Sequence, residues 1–199
     1  MSLDQAAVLI VWAIWCFFHS LLAALGVAER VKRMMGAQAR WYRLGYNIFA
    51  VVSIIPPMMI EKSLSTGLAV DWGRFNTVRA IISWGALALL VWAISIYDLK
   101  DFSGIKMTAQ PEKLVTSGPL SIARHPIYAM AYVLIWTRPL TDTAIISSAV
   151  LTFYLIIGTW LEERKLELKF GEAYKEYRKK TPAFFPWKLA LSKLGMKSR

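Results

Sequence analysis

The sequence predicts an all-α membrane protein: a polytopic helical bundle of about five transmembrane helices with a cytoplasmic C-terminal helix. Three observations carry the prediction. Hydrophobic residues make up 56% of the 199 residues and charged ones only 19%, with a mean hydropathy of +0.42, whereas a soluble domain carries about a quarter charged residues. The apolar residues fall in long blocks between short charged segments, the pattern of a multi-pass membrane protein. Basic residues also gather in alternate connections. The composition excludes disorder, which requires low hydrophobicity. The length argues for a single domain over residues 1–199. One cysteine excludes an internal disulfide and a Cys-rich metal site. A net charge of +11 would suggest nucleic acid in a soluble chain; here it marks loops that face anionic membrane lipid, so no nucleic-acid partner is expected.

The first apolar block covers residues 3–25. Its start holds Asp4 and no Lys or Arg, so the basic region of a signal peptide is missing and the block reads as a retained span. The second, 44–60, contains Pro56-Pro57. Proline leaves backbone carbonyls without partners, so a kink or an early end is expected there. The third covers 78–97. The fourth, 126–136, is short for a full span. The fifth, 144–161, follows after a few residues around Pro139.

Charge orients these spans. Arg30, Lys32, Arg33, Arg40 and Arg43 face Glu29 alone between spans one and two. Lys100, Lys106, Lys113 and Arg124 lie in segment 99–125, and eleven Lys or Arg follow Leu161. Basic loops remain cytoplasmic, which places the N-terminus outside and the C-terminus in the cytoplasm. Glu61 and Asp71, with Lys62, Arg74 and Arg79, fall in the connection between spans two and three. Segments 99–125 and 162–199 are long, polar and on one side, and are expected to meet over a site at the membrane face. Within the second, Leu161, Leu166, Leu168, Phe170, Tyr174 and Tyr177 recur at roughly helical spacing, and Thr181-Pro182 ends the helix.

Two constellations could carry chemistry. The first is Gly118-Pro119-Leu120-Ser121-Ile122-Ala123-Arg124-His125-Pro126-Ile127-Tyr128. Pro126 suits the first turn of a helix, which puts His125 at the positive dipole end, where an anionic ligand group is favoured. Tyr128 lies one turn on. The alternative is that Arg124 and His125 only anchor the helix at lipid headgroups. The second constellation is Glu162-Glu163-Arg164-Lys165 with Leu166, Phe170-Gly171, Tyr174, Tyr177 and Pro182. The last turn of a helix disfavours anions, so two carboxylates there call for a cationic partner, either an Arg or Lys or a ligand. The alternative is a continuous helix whose Glu residues pair with Arg164 and Lys165 at the surface. Cys16 and His19 stand one turn apart on span one; two ligands do not make a metal site, and no metal is expected. An ionisable residue inside a span nevertheless marks the bundle interior or a functional path.

Together, Lys113-Leu114-Val115, Gly118, Arg124-His125-Pro126, Tyr128, Glu162-Glu163, Leu166, Phe170-Gly171, Tyr174, Tyr177 and Pro182 resemble the isoprenylcysteine carboxyl methyltransferase and phospholipid methyltransferase superfamily. The first half of the chain is similar, through its span pattern and segments such as His19-Ser20-Leu21, to small bacterial relatives of the methanethiol methyltransferase type. The resemblance implies an integral membrane methyltransferase that uses S-adenosyl-L-methionine, bound in about residues 99–187. By position, Glu112, Lys113, Leu114 and Val115 lie along the cofactor; His125, Pro126, Ile127 and Tyr128 hold its amino-acid end; Glu162 closes the pocket. Leu120 stands where the superfamily usually has Tyr, and Pro111-Glu112 replaces a His-containing approach. Gly158 stands one turn before Glu162, where the isoprenylcysteine enzymes place an Arg linked to their carboxylate substrate. A lipidic or small apolar acceptor without a free carboxylate follows: a lipid amine, hydroxyl or thiol. If the acceptor must lose a proton, His125, Glu162 and Glu163 are the nearby bases, and no one of them is singled out.

Two other classes share parts of this pattern. Membrane sterol or steroid reductases that use NADPH place Asn before the Tyr of the first motif, where this chain has Ile127, and carry a Cys-containing, Asp-rich version of the Glu-Glu helix. A non-catalytic binding protein of the same fold is the third reading. Binding of S-adenosylhomocysteine separates the first from the others.

Overall fold

The computed structural model describes residues 1–95 and 113–185. Among them, four helical stretches are long and apolar enough to cross a membrane: Leu3–Ala23, Gly26–Ser63, Gly73–Ser95 and Asp142–Phe170, with Pro126–Thr137 as a shorter apolar helix. These are the five blocks of the sequence, and the fourth is short as anticipated. The chain is a multi-pass helical membrane protein.

The described helices form two compact units. The first holds residues 1–73 and 139–154. Helix α1 (Leu3–Ala23) starts in a reciprocal cap: Gln5 N–H donates to Ser2 Oγ, and Ser2 N–H donates to Gln5 Oε1 (3.1 and 3.0 Å). The basic connection is itself helical, with α2 (Leu25–Met35) followed by a 3₁₀ segment (Gly36–Trp41) and α3 (Tyr42–Ser53). The expected break falls at Ile54, two residues before Pro56, because proline disfavours helical backbone ahead of it and supplies no N–H. Pro56 and Pro57 then sit in the first turn of α4 (Ile55–Ser63).

Glu61, read from the sequence as a loop residue, lies buried in α4. Its carboxylate accepts from the indole of fully buried Trp12 (3.2 Å), and its carbonyl accepts from Thr143 Oγ1 (3.0 Å). The sequence pattern also did not foresee a small antiparallel ribbon of β1 (Leu68–Val70) with β2 (Leu140–Thr141), in which Leu68 faces Thr141. Asp142 closes it by accepting from the Thr66 N–H and Oγ1 (3.2 and 2.8 Å).

The second unit holds residues 74–95, 113–138 and 155–185. Helix α5 (Asn76–Ser95) is followed by α6 (Pro119–Ile122) and α7 (Pro126–Thr137). The short α7 packs along α5, with small buried residues at Ala86, Ala93 and Ala129 that allow close backbone approach in lipid. Arg79 Nη1 donates to the Thr137 carbonyl (2.6 Å) and Ser83 Oγ to Thr137 Oγ1 (2.8 Å), which satisfies the end of α7.

Helix α8 (Asp142–Phe170) has 29 residues. At 1.5 Å per residue that is about 43 Å, against a hydrocarbon core of about 30 Å, so its charged end from Glu162 on has the length to project beyond the core. The expected continuous helix breaks at Gly171, whose φ of 54° favours glycine. The chain resumes as α9 (Glu172–Lys180) and ends at Thr181, before Pro182.

Candidate functional site

The site is assembled within the second unit where α7 begins. His125 adopts φ −126°, ψ 62° and precedes Pro126, the first residue of α7. The two residues before the proline are fixed from outside the helix. Arg124 N–H donates to the Pro182 carbonyl (2.9 Å) and His125 N–H to the Ala183 carbonyl (2.8 Å). The pairing exists because α9 has stopped at Thr181, ahead of Pro182, which leaves the carbonyls of Pro182 and Ala183 without helical partners. The polar segments expected to meet do so in their described parts. Tyr177 of α9 adds a bond to the Leu120 carbonyl in α6 (2.5 Å).

The side chains converge on the end of α8. Arg124 Nε and Nη2 both donate to Glu163 Oε1 (2.9 and 2.5 Å), and Nη1 donates to the carbonyls of Arg178 and Thr181 (3.1 and 2.5 Å). Arg124 is therefore the cation that Glu163 required. Arg164 instead lies over the Trp160 ring, 4.4 Å from its centroid. His125 is 5% exposed. Its Nε2 lies 3.2 Å from Glu163 Oε1 and its Nδ1 3.7 Å from Glu162 Oε2. The Glu163 side chain is 18% exposed and that of Glu162 is 45% exposed. The Arg124 guanidinium thus pairs with Glu163, and the more exposed Glu162 is the carboxylate open to a further cation.

Aromatic rings wall this cluster. Tyr128 stacks on the His125 imidazole, with planes 5° apart and centroids at 5.7 Å. Phe184 meets both His125 and, edge to face, Tyr132. The buried Tyr132 hydroxyl has no hydrogen-bond partner among the described residues. Tyr174 is fully buried; burial first, then the Glu163 carboxylate, pushes its hydroxyl up to about 12. On its other side Phe184 borders an apolar cavity of about 180 Å³ lined by Leu89, Trp92, Ile122, Pro126 and Met130.

Of the residues singled out from sequence, His125, Pro126, Ile127, Tyr128 and Glu162 come together here. Glu112 lies outside the described residues. Lys113, Leu114 and Val115 form irregular backbone ahead of α6, with Lys113 and Val115 exposed. No hydrogen bond or ion pair among the described residues ties them to His125 or Glu162. Gly158 is in α8, and a Cβ added to it would meet nothing within 4 Å. Sequence reasoning missed Tyr132 and Phe184. Tyr132 was signalled by its spacing, one turn beyond Tyr128; Phe184 follows no periodicity.

Fold and site define a class: a multi-pass helical membrane protein with a buried His–Arg–Glu cluster where its last long helix ends. No family model matches the chain, and no solved structure matches it. Named relatives are more informative. The chain is 31% identical over 186 residues to methanethiol S-methyltransferase of Mycobacterium tuberculosis, which covers 84% of this chain and 76% of that protein. It is 35% identical over 81 residues to methanethiol S-methyltransferase 1 of Bradyrhizobium diazoefficiens, 40% of this chain and 28% of that one. It is also 37% identical over 123 residues to the nickel-cobalt-cadmium resistance protein NccN of Alcaligenes xylosoxydans xylosoxydans, 58% and 54% of the two chains. The matched stretch spans about half or less of the length of the first such relatives. The near full-length match shows that the chain belongs to the methanethiol S-methyltransferase family.

Proposed function

We propose that the chain is an integral membrane methyltransferase of the isoprenylcysteine carboxyl methyltransferase and phospholipid methyltransferase type. It uses S-adenosyl-L-methionine and acts on a lipidic or small apolar acceptor through an amine, hydroxyl or thiol. The observation that carries this reading is the convergence of Glu162 and Glu163 on a buried His125 at the start of α7. The donor set fits the cofactor. A helix start suits its carboxylate. Half-exposed Glu162 suits its ammonium. Tyr128 and Phe184 present aromatic faces, which attract a sulfonium cation, and the Tyr132 hydroxyl is a buried donor without an acceptor among the described residues. Pro126 and Ile127 would complete the amino-acid end, with Glu112, Lys113, Leu114 and Val115 along the rest.

When bound, the cofactor supplies an electrophilic methyl group. The protein's task is then alignment and exclusion of water. Arg124 fixes Glu163, and Glu163 with stacked Tyr128 fixes the imidazole plane of His125. Gly158 offers no group to hold an acceptor carboxylate, and its surroundings at Phe153 and Ile157 are exposed and apolar, which supports an acceptor drawn from the lipid phase. The names of the relatives support a small sulfur acceptor within that class. With the N-terminus outside and the C-terminus cytoplasmic, the site faces the cytoplasm. Radiolabelled methyl transfer to extracted lipids and a panel of apolar thiols, with farnesylcysteine as comparator, tests the reading. Thiols or lipids should exceed farnesylcysteine; farnesylcysteine as the best acceptor would reverse the acceptor assignment.

A further inference from the structure

The start of α7 has two sides. Arg124 and His125 turn toward Glu163. Ile122, Ala123, Pro126 and Met130 instead line the apolar cavity of about 180 Å³, which α5 closes with Leu89 and Trp92. This cavity lies wholly within the second unit, the one that holds His125 and Glu162. Phe184 belongs to both sides: its ring meets His125 and also lines the cavity. Among the described residues, Leu89, Trp92, Ile122 and Phe185 of the lining are exposed, and α5 is long and apolar enough to span, so the cavity opens toward lipid. Its lining offers almost nothing to a polar ligand. Trp92 is the only lining residue with a polar side-chain atom. Pro119 and Pro126 have no N–H, and the N–H groups of Ala123 and Ala129 already donate to the Pro119 and His125 carbonyls (3.2 and 2.9 Å). Adenine would lose the hydrogen bonds of its ring edge here, whereas a hydrocarbon loses none.

We propose that this cavity holds the hydrocarbon group of the methyl acceptor, a chain or ring of about six carbons, and so makes the protein prefer acceptors well above one carbon in size. This assignment rests on the methyltransferase reading and names the acceptor class within it. The size follows from the volume. An apolar cavity of about 150 Å³ stays dry and takes up benzene, so about 180 Å³ suits a phenyl or hexyl group. A one-carbon group fills a small part of it and leaves the rest of the lining without contacts. Burial of each methylene strengthens binding about fourfold. Along an unbranched series, kcat/KM therefore rises until the cavity is filled and then levels off, because further carbons only reach lipid. Pro126 and Phe184 are common to the cavity and to the donor site proposed at His125, so an acceptor seated in the cavity has its polar end at the edge of that site.

Methyl transfer is measured in nanodiscs with thiols, amines and alcohols that carry methyl, butyl, hexyl or decyl groups. The hexyl-to-methyl ratio of kcat/KM is taken within the best of the three series. Wild type should favour hexyl. Leu89→Trp narrows the cavity from the α5 side and should lower the ratio about tenfold or more, the scale of two methylenes left unburied. Met130→Ala widens it and should move the optimum to a longer chain. Partition into the bilayer is the same for every variant and drops out of the comparison. A ratio unchanged in both variants would overturn the proposal. Weaker S-adenosylhomocysteine binding in Leu89→Trp with an unchanged ratio would give the cavity to adenine instead. Photolabelling with a hexylphenyl trifluoromethyl diazirine reads occupancy without turnover: adducts within 119–130 should be competed by hexylbenzene in wild type and be lost in Leu89→Trp. Absence of competed adducts there would also overturn the proposal. Competed adducts in a wild type that neither binds S-adenosylhomocysteine nor transfers methyl would reject the methyltransferase reading, and with it the acceptor role.

Discussion

Replacing Arg124 by Met tests whether the Arg124–Glu163 pair holds the site together. The guanidinium is 9% exposed and the carboxylate 18% exposed, so solvent compensates little when one partner goes. The substitution strips Glu163 of its cation and removes the donor to the Arg178 and Thr181 carbonyls. Breaking a buried pair costs about 3–5 kcal/mol. His125 still faces Glu163 at 3.2 Å, which places the effect near the lower end, at about 3 kcal/mol. For a chain of this size, about 2–4 °C is lost per kcal/mol, or roughly 6–12 °C. Differential scanning fluorimetry in nanodiscs reads the shift. Arg164→Met is the control: its guanidinium only covers the Trp160 ring, a contact of about 0.5–1 kcal/mol at an exposed position, worth roughly 1–4 °C. Adding Glu163→Met to Arg124→Met should recover part of the loss, because no buried charge then lacks a partner. Equal shifts for Arg124→Met and Arg164→Met, or no recovery in the double variant, would refute the reasoning.

Gly171→Ala should cost about 1–2 kcal/mol, since a side chain must be held at φ 54°, whereas Gly158→Ala within α8 should be neutral or stabilising by up to about 1 kcal/mol; thermal melts compare the two. Trp12→Phe should lower stability by about 1–3 kcal/mol, because it removes the donor to buried Glu61, and Glu61→Gln in the same background should restore part of it. In a Cys16→Ser background, a cysteine at Gln38 should label only from the cytoplasm and one at Gly67 only from outside; the reverse pattern would invert the orientation.

The spans were legible because hydropathy reports the solvent of each segment directly. The helix break before Pro56-Pro57 was legible because proline acts through local sterics, and the stop at Thr181-Pro182 for the same reason. Glu61 was misplaced into a loop because charge alone was counted; its partners, Trp12 and Thr143, lie 49 and 82 residues away in sequence. The break at Gly171 was missed because the apolar spacing continues through it, and only the backbone angle reveals the turn. At the site, a cation beside Glu162-Glu163 was expected from a helix end at Leu161; α8 instead runs on to Phe170, so the partner answers to the partial burial of Glu163 and not to the helix dipole. Its identity as Arg124 rather than Arg164 or Lys165 was not legible, since the choice depends on a tertiary approach across 39 residues. Phe184 had no local signal at all, because it follows an irregular segment held by two backbone bonds to Arg124 and His125, which carries no periodicity.

The account turns on whether the cluster at His125 binds the methyl donor. Isothermal titration of the purified protein with S-adenosylhomocysteine measures that directly, alongside His125→Ala and Glu162→Ala variants shown to be folded by their melting curves. Loss of one charged hydrogen bond predicts a cost of about 1.5–3 kcal/mol, a roughly ten- to hundredfold weaker Kd in each variant. Saturable binding in the wild type with that loss in both variants is the expected result. Absence of binding in the wild type, or unchanged affinity in both variants, would contradict the assignment of the site.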